Sequence, residues 1–416
     1  MPFCSPATKP HRSPRVISVL GNHRTIAVAL TTATAALVAL VLPRTLPAQQ
    51  PTDSTSSTPS APAATPSIPV DFSGVLLANF QYRGDRGPQK SQNKFDLERA
   101  YLTFKMPAGD RASIRITADV FQQGASPNDS FYKGWVIRAK YAYLQYEYLR
   151  ATNWNALARA GLIHNVVIDH IESFWPRWLS QTAVERAGFF SSSDAGVGTL
   201  ITLPNKLGEV YATVVNGTGY TSRETDRFKD YSIRLSINPL TGSGNTVLRT
   251  LALTGWTYIG AVASSFVAGG IGQIGPVGSS LPRRRSGMFI GVRDPRLSAG
   301  AELDGRTDAR ENGDNTIASP RIVVDTSGRL ASGFAMIKPF LLSNPKSRLP
   351  LGVVGRWDRF RPNASTSGYI NTVIGGLTWD LNKRTAFSLD YQEVTPHAGA
   401  TVTSSKTYFL HLVANF

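Results

Sequence analysis

Apolar and polar residues alternate with a period of two along most of the chain from residue 72 onward. In 96–106, for example, Ala100 and Leu102 lie on one face while Tyr101 and Thr103 lie on the other. Successive side chains of a strand point to opposite faces, so this pattern predicts strands rather than helices. The predicted strands lie near 72–82, 96–106, 112–121, 138–148, 156–164, 195–203, 208–215, 229–238, 250–260, 287–293, 296–304, 328–338, 350–360, 368–380, 384–394 and 405–416.

The lengths of these strands and of their connections indicate one all-β architecture. Each segment is close to the roughly 9–11 residues that a tilted strand needs to cross a bilayer. Short turns, such as 107–111 and 204–207, alternate with long links, such as 165–194, 261–286 and 305–327. A β-sandwich would also show alternating faces, but the two connection lengths are typical of outer-membrane barrels. The sequence therefore predicts a transmembrane antiparallel β-barrel of about 16 strands, with short periplasmic turns and long outer loops.

The stretch 405–416 is expected to close this barrel. Tyr408, Leu410 and Leu412 share one apolar face, and the chain ends on Phe416. A last strand with lipid on one face and its final ring in the interfacial aromatic girdle fits a barrel of this kind. The ending resembles the assembly signal of bacterial outer-membrane porins.

The N-terminal region indicates export. Basic residues up to Arg24 precede an apolar run from Ile26 to Leu42, followed by the small-residue cleavage site Leu46-Pro47-Ala48. We expect a signal peptide at 1–48, a disordered Pro/Ser/Thr-rich linker at 49–70, and an outer-membrane β-barrel at 71–416. The only cysteine, Cys4, lies in the leader, so the mature chain would hold no disulfide.

The formal net charge is +16, from 44 Lys and Arg against 28 Asp and Glu. Removing the leader's five basic residues leaves +11, which fits a lumen or surface that favours anions. A nucleic-acid or acidic-lipid partner would fit the same balance. The run Arg283-Arg284-Arg285 lacks interleaved aromatics, so it is interpreted as a solvated loop that touches lipopolysaccharide phosphates, and no nucleic-acid partner is predicted.

The stretch between Arg249 and Arg283 carries no charge, which superficially suggests a membrane helix. Its many glycines argue for a strand followed by a glycine-rich loop. The loop contains Gly270-Ile-Gly272-Gln-Ile-Gly275, formally a dinucleotide fingerprint, but Pro276 stands where the phosphate-binding helix should begin. No cofactor is predicted.

Several short motifs in the middle and at the end of the chain are similar to those of one known family. They are Ala160-Gly161-Leu162, Trp175-Pro176-Arg177-Trp178, Glu185-Arg186, Ser193-Asp194-Ala195-Gly196-Val197, Val215-Asn216-Gly217-Thr218-Gly219-Tyr220, Gly300-Ala-Glu302, Arg356-Trp-Asp358-Arg-Phe360 and Gly375-Gly376-Leu377-Thr-Trp379-Asp-Leu381-Asn382. On these residues the chain resembles the phosphate-selective porin O/P family of outer-membrane channels. The resemblance implies a sixteen-stranded barrel, commonly trimeric, that passes small anions passively.

The opening of the third loop departs from that family. The family's usual Gly-Gln-Phe-Lys-x-Pro-Phe-Gly is here Gly161-Leu-Ile-His164-Asn-Val-Val-Ile168, without the lysine and the proline. The departure puts selectivity for phosphate in doubt. The expected partners are small anions or solutes, outer-membrane lipid with lipopolysaccharide, and further copies of the chain in a homotrimer.

The third outer loop, 165–194, is the first candidate site. It carries Trp175 and Trp178, so it is too apolar to lie wholly in water. We expect it to fold into the lumen and narrow the channel, because a sixteen-stranded barrel otherwise leaves a wide aqueous passage. Arg177 and Arg186 would then present positive charge to anions. Alternatively, the aromatic residues pack at the barrel mouth or at a subunit interface.

Basic residues on the polar faces of predicted strands are the second candidate set. These are Arg99, Lys105, Arg115, Arg234 and Arg356. Facing lipid at the bilayer midplane they would cost ~2–4 kcal/mol each, so a water-filled lumen is the favoured place for them. There they would attract anions, or they would pair with carboxylates such as Asp119 and tie the wall together.

Neither a metal site nor a catalytic site is predicted. The group His164, Asp169, His170 and Glu172 matches no standard ligand spacing, and His411 has no obvious serine partner. The sequence therefore predicts no enzyme but a passive diffusion porin for small solutes with an anion preference that includes phosphate-like anions. An outer-membrane barrel enzyme of lipase or protease type and a non-conducting structural or adhesion barrel are the alternatives.

Overall fold

The computed structural model describes residues 69–85, 89–122, 134–264, 278–313, 318–319, 322–347, 349–400 and 402–416. The predicted signal peptide, nearly all of the predicted linker and the centre of the glycine-rich stretch lie outside these ranges. All structural statements below refer to the ranges themselves.

Sixteen antiparallel strands form one closed barrel, in which each strand pairs with its sequence neighbours and β1 also pairs with β16. The strands are β1 Asp71–Arg83, β2 Asn93–Pro107, β3 Ala112–Gln122, β4 Trp135–Arg150, β5 Asn155–His164, β6 Ser193–Thr202, β7 Gly208–Val215, β8 Asp230–Ile237, β9 Ala252–Ala263, β10 Ser280–Asp294, β11 Leu297–Asn312, β12 Ile322–Ile337, β13 Leu351–Arg361, β14 Tyr369–Asp380, β15 Thr385–His397 and β16 Ser405–Asn415. The predicted fold class is confirmed.

The alternation in the sequence corresponds to the two faces of the barrel wall. In β8, Ser232 and Arg234 are buried toward the interior, whereas Ile233, Leu235 and Ile237 are exposed on the outside. A polar interior and an apolar exterior are the reverse of a soluble domain and are typical of a membrane barrel.

The terminal strand closes the barrel as predicted. The backbone N–H of Gly74 donates to the carbonyl of Phe416 at 2.8 Å, and the N–H of Phe416 donates back at 3.0 Å. The Phe416 ring lies outside, with its centroid 6.0 Å from that of Phe72. Both chain ends of the barrel therefore lie at the end with the short β2–β3 and β10–β11 turns, here named the turn end.

Three strands are longer than the alternation indicates. β10, β11 and β12 extend toward the opposite end, named the loop end, so the links around 261–286 and 305–327 are shorter than expected. The interpretation of Arg283-Arg284-Arg285 as a solvated loop is wrong, because these residues belong to β10.

Distant partners explain the extension of β10. The guanidinium of Arg283 lies 2.9 Å from the carboxylate of Asp230, and that of Arg285 lies 3.0 Å from Asp308. Both arginines therefore point into the barrel, each joined to an acid on another strand.

Helices are few and short in the part of the chain that the structure describes. They are α1 Ile168–Glu172, α2 Ala183–Arg186 and α3 Pro339–Ser343. None of these described helices has the length and apolar character needed to span a membrane. Two single 3-10 turns, Pro204–Lys206 and Leu248–Thr250, lie in links at the turn end.

Candidate functional site

The segment 165–192 between β5 and β6, named the lumen loop, lies inside the barrel. Ile168, Trp175 and Phe189 have no exposed surface and belong to one apolar cluster with side chains of β7 to β14. The wall residues in this cluster, such as Trp256 and Phe334, occupy inward positions of their strands. Burial of apolar surface therefore holds the loop against one side of the interior.

Local signals start and stop the two helices of the lumen loop. The side chain of Asn165 accepts hydrogen bonds from the N–H of Val167 at 2.9 Å and of Ile168 at 3.3 Å, at the start of α1. Thr182 caps α2 by accepting from the N–H of Glu185 at 3.4 Å. Gly188, with a φ of 69°, turns the chain after α2, where a left-handed residue is required.

Side chains of the wall hold the backbone carbonyls of the lumen loop. Arg306 donates to the carbonyls of Ala187 at 3.0 Å and Gly188 at 3.2 Å. Gln392 donates to the carbonyl of Leu179 at 2.9 Å. Such bonds satisfy carbonyls that would otherwise be buried without a partner, since two short helices cannot pair all of them.

Arg234 and Arg356 point inward, as the alternation indicates, but the lumen loop covers them. Each is 4% exposed. Arg356 forms an ion pair with Asp358 at 2.7 Å and donates to the carbonyl of Gln181 at 2.6 Å. Arg234 pairs with Glu209 at 2.6 Å. Their charges are compensated, so these two arginines hold the loop instead of facing water.

The side chains of Arg177 and Trp175 also make their contacts with other residues of the protein. Arg177 lies between the carboxylates of Glu172, at 2.8 Å, and Glu185. The Trp175 ring packs against Phe334 with centroids 5.3 Å apart. Neither side chain is a free positive group or a bare aromatic surface in the lumen.

Arg186 and Trp178 complete the predicted set on the loop. Burial, followed by the neighbouring charge of Arg356, lowers the pKa of Arg186 to about 10. Trp178 is partly buried against the apolar cluster and lines a cavity of about 630 Å³ between the lumen loop and the opposite wall. Trp178 therefore narrows this cavity, and Phe174 of the same loop lines the cavity of about 790 Å³ described below.

Three cations on neighbouring strands, named the basic tract, line the cavities beside the lumen loop; Arg115 and Arg159 are half-buried, and Lys140 is 4% exposed. They are Arg115 on β3, Lys140 on β4 and Arg159 on β5. Within the described ranges, none of the three forms an ion pair with a carboxylate. Their positive charge is therefore not compensated locally.

Tyrosine rings support the basic tract. The Lys140 ammonium lies 4.2 Å from the centroid of the Tyr101 ring, and the Arg115 guanidinium lies 4.8 Å from that of Tyr141. The negative face of an aromatic ring attracts a cation without neutralising it. The rings thus orient the cations without neutralising their charge.

Of the remaining predicted cations, Arg99 is paired and Lys105 is exposed. Arg99 and Arg138 share the carboxylate of Asp119, at 3.1 Å and 3.0 Å. Lys105 lies on β2 near the turn end, opposite Asp71 in the β1–β2 register. Arg115 alone among the predicted residues belongs to the basic tract.

Sequence reasoning missed Lys140 and Arg159. The pairing of β3 with β4 shifts register between Thr117 and Ala118, so Lys140 and Tyr141 both point inward although they are adjacent. A bulge of this kind interrupts the period of two on which the prediction relied. Arg159 could have been found, because it lies between two apolar neighbours in a regular strand.

A second cavity, of about 790 Å³, continues toward the turn end. It shares His164, Asp169 and Ser173 with the first. Three further cations line this cavity: Lys206, Arg249 and Arg293. None of them has a carboxylate partner among the described residues. The accessible part of the lumen is thus predominantly positive.

The histidines of this region lie in separate polar networks. His170 Nδ1 accepts from Arg234 at 2.7 Å, and its Nε2 lies 2.8 Å from Thr254. An arginine can only donate, so the His170 proton is on Nε2. His164 instead stacks on Tyr141 with centroids 3.9 Å apart. Over the described ranges there is no group of three His, Cys, Asp or Glu side chains that could hold a metal ion.

His411 has a serine and an aspartate beside it, which the sequence did not reveal. Its Nδ1 lies 2.8 Å from a carboxylate oxygen of Asp390, and Ser388 donates to the same oxygen at 2.6 Å. In a nucleophilic triad the serine donates to one imidazole nitrogen while the acid holds the other. Here the hydroxyl is bound to the acid, so it is not activated by a base in this arrangement.

The chain is similar in fold to solved outer-membrane proteins. The anion-selective porin from Comamonas acidovorans is 10% identical, with a TM-score of 0.55 over 84% of this chain and 100% of that one. OmpF of Salmonella typhi, in complex with daunomycin, is 11% identical, with a TM-score of 0.53 over 84% and 98%. OmpT of Vibrio cholerae in a trimer form is 10% identical, with a TM-score of 0.51 over 84% and 99%.

No protein-family model and no curated protein matches the sequence. At identities near 10% the structural likeness shows the fold alone. The chain therefore has the fold of the porin-like β-barrels of the bacterial outer membrane.

Proposed function

We propose that this protein is an outer-membrane porin through which small solutes diffuse passively, with a preference for anions. The observation that carries the proposal is the basic tract of Arg115, Lys140 and Arg159, which faces the open side of the lumen without a carboxylate partner among the described residues. Fixed positive charge in a narrow aqueous passage lowers the electrostatic barrier for anions and raises it for cations.

The position of the lumen loop supports a diffusion channel of limited width. The loop packs on the wall formed by β7 to β14; the cavity of about 630 Å³ lies between it and β1 to β4 with β16, and the cavity of about 790 Å³ lies beside β6 to β9. The loop face toward these cavities carries the carboxylates of Asp169 and Glu172. A solute passing between the loop and the wall would therefore cross an electric field directed from the basic tract to the acidic loop face. Such a field orients polar solutes, and the narrow polar passage excludes large apolar ones.

Phosphate is one of the anions that the proposal covers, as the resemblance to the phosphate-selective O/P family implies. Selectivity for phosphate is not part of it, because the stretch 161–168 lacks the family's lysine. His164 stands in the lysine's place, and Val166, Val167 and Ile168, which follow it at the start of the lumen loop, are buried. A homotrimer, as in the trimer form of OmpT, is the proposed assembly.

Planar-bilayer recording in a KCl gradient tests the proposal. The reconstituted barrel should open as stable channels whose reversal potential has the sign of a chloride-preferring pore. A reversal potential of the opposite sign would contradict the anion preference, and membranes that stay non-conducting with folded protein would contradict the porin itself. The barrel enzyme and the adhesion barrel both predict the second result.

A further inference from the structure

Four neighbouring strands place an unusual row of residues on the outside of the barrel near the loop end. Ser286 of β10, Gly305 of β11, Arg329 of β12 and Arg361 of β13 are paired in register. Two arginines thus stand directly opposite each other across adjacent strands. Over the described ranges neither forms an ion pair or a hydrogen bond through its side chain.

A third arginine, Arg359, lies on the same outer face, two residues along β13 from Arg361. It stacks on the Tyr369 ring, with its guanidinium carbon 3.9 Å from the ring centroid, and has no acidic partner in the described chain. Like charges directly opposite on a sheet destabilise it. Asp325, on the same face of β12, is four residues from Arg329, about 13 Å along the strand. Three adjacent guanidinium groups therefore lack a counter-ion among the residues that the structure describes.

The next row toward the turn end is apolar on β10, β11 and β12 and ends on β13 with Arg359, which pairs with Ala331. Met288, Leu303 and Ala331 are paired in register there, with Met288 62% and Leu303 58% exposed. Together with the arginines they line an outer groove of about 600 Å³. Ser286 has a small side chain and Gly305 has none, so neither residue fills the space beside Arg329. The groove thus has a charged part on β12 and β13 and an aliphatic part on β10 and β11.

The height of the groove matches a membrane interface. Gly305, which pairs with Arg329, is eight residues from the start of β11 at the turn end. With ~3.3 Å per residue and a tilt of about 40°, the arginines stand roughly 20 Å above the turn, and the apolar band of such barrels is ≈ 25 Å tall. The backbone at the arginines thus lies about 5 Å below the top of that band. The long arginine side chains span this distance and place their guanidinium groups at the headgroup level of the outer leaflet, while the aliphatic part remains in the hydrocarbon.

We infer that this groove binds a phosphorylated glycolipid of the outer leaflet, with a lipid A phosphate on Arg329, Arg359 and Arg361 and an acyl chain along Met288 and Leu303. Guanidinium groups bind phosphate through paired N–H donors. The aliphatic floor favours a lipid over free phosphate. The outward acid of β12, Asp325, is about 13 Å from Arg329 along the strand, which argues against charge pairing with a second copy of this face. The inference rests on the proposed outer-membrane location but not on conduction.

Native mass spectrometry of the folded barrel in detergent tests this site with purified lipid A. The Arg329→Gln/Arg361→Gln variant should bind it at least tenfold more weakly than the wild type. A charge-matched control, Arg223→Gln/Arg227→Gln in the outer loop 216–229, should bind like the wild type. Dephosphorylated lipid A should bind the wild type at least tenfold more weakly than lipid A does, and this comparison of two lipids on the wild type holds even if the variant does not fold.

Three results would overturn the inference. Equal lipid A binding by the wild type and the folded Arg329→Gln/Arg361→Gln variant would remove the site. Displacement of lipid A by millimolar inorganic phosphate would indicate a free-phosphate site instead. Loss of an oligomer in that variant, without loss of lipid A binding, would make the face an interface between copies. Bilayer conductance of the same samples tests the proposed function separately, because the groove lies outside the lumen.

Discussion

The guanidinium of Arg356 donates to the carbonyl oxygen of Gln181 at 2.6 Å, which joins β13 to the lumen loop across 175 positions of sequence. The same guanidinium is paired with Asp358. The buried ion pair of Arg356 and Asp358 thus stabilises the inner face of β13 and, through Gln181, holds the loop that narrows the lumen.

Removing one partner of this pair should weaken both the barrel and the loop. We expect Arg356→Ala to cost about 3–5 kcal/mol of unfolding free energy, because Asp358 is left charged and buried. The single-channel current should become noisier as the loop loosens. Urea unfolding followed by tryptophan fluorescence, together with bilayer recording, measures the two effects.

The matched control is Arg356→Gln with Asp358→Asn, which removes both charges and keeps hydrogen-bonding groups. It should recover most of the unfolding free energy. A single variant as stable as the wild type would show that the pair does not hold the loop.

Acid should loosen the lumen loop through His170. Burial, followed by the charges of Arg234 and Arg293, lowers the pKa of His170 to about 2. In the unfolded chain the pKa is near 6.5, so below that pH the unfolded state binds more protons than the folded state. The contribution to stability is complete above about pH 6.5 and is lost as the pH falls toward 2, by about 3 kcal/mol at pH 4.5.

Channel closures and current noise should therefore increase as the pH falls from 7 to 4.5. His170→Gln keeps a polar side chain between Arg234 and Thr254 but cannot gain a proton, so its noise should change less over that range. Identical pH profiles for the wild type and the variant would rule out His170 as the cause.

A glycine in β5 should be intolerant of any side chain. Gly161 has a φ of 124°, and a Cβ atom there would lie 2.3 Å from the backbone oxygen of Ala142. Gly161→Ala should therefore cost at least about 1–3 kcal/mol. Gly255 faces outward with no atom near its missing Cβ, so Gly255→Ala should change the unfolding free energy by no more than about 1 kcal/mol. Equal stabilities of the two variants would contradict this.

The fold could be predicted from the sequence because the period of two persists through nearly every strand. The candidate site could be predicted only in part. The apolar character of 165–194 indicated that this segment is buried inside the barrel. The arginines that bind its backbone, such as Arg306, lie on strands distant in sequence, so the pattern does not reveal them. The inward position of Lys140 depends on a bulge, and the pairing of Arg234 and Arg356 depends on contacts across the lumen. Alternation shows which face a residue occupies, but not which partner covers it.

The central claim is that uncompensated cations of the wall select anions. The most direct test is the change in reversal potential, in a KCl gradient, between the wild type and the variant Arg115→Gln/Lys140→Gln/Arg159→Gln, with Arg223→Gln/Arg227→Gln/Lys229→Gln as the charge-matched control. The tract variant should lose roughly fivefold or more in chloride-over-potassium preference, since one unit charge at 4 Å is worth ~1 kcal/mol even in water, and the control should keep it. An unchanged reversal potential in the folded tract variant would contradict the account.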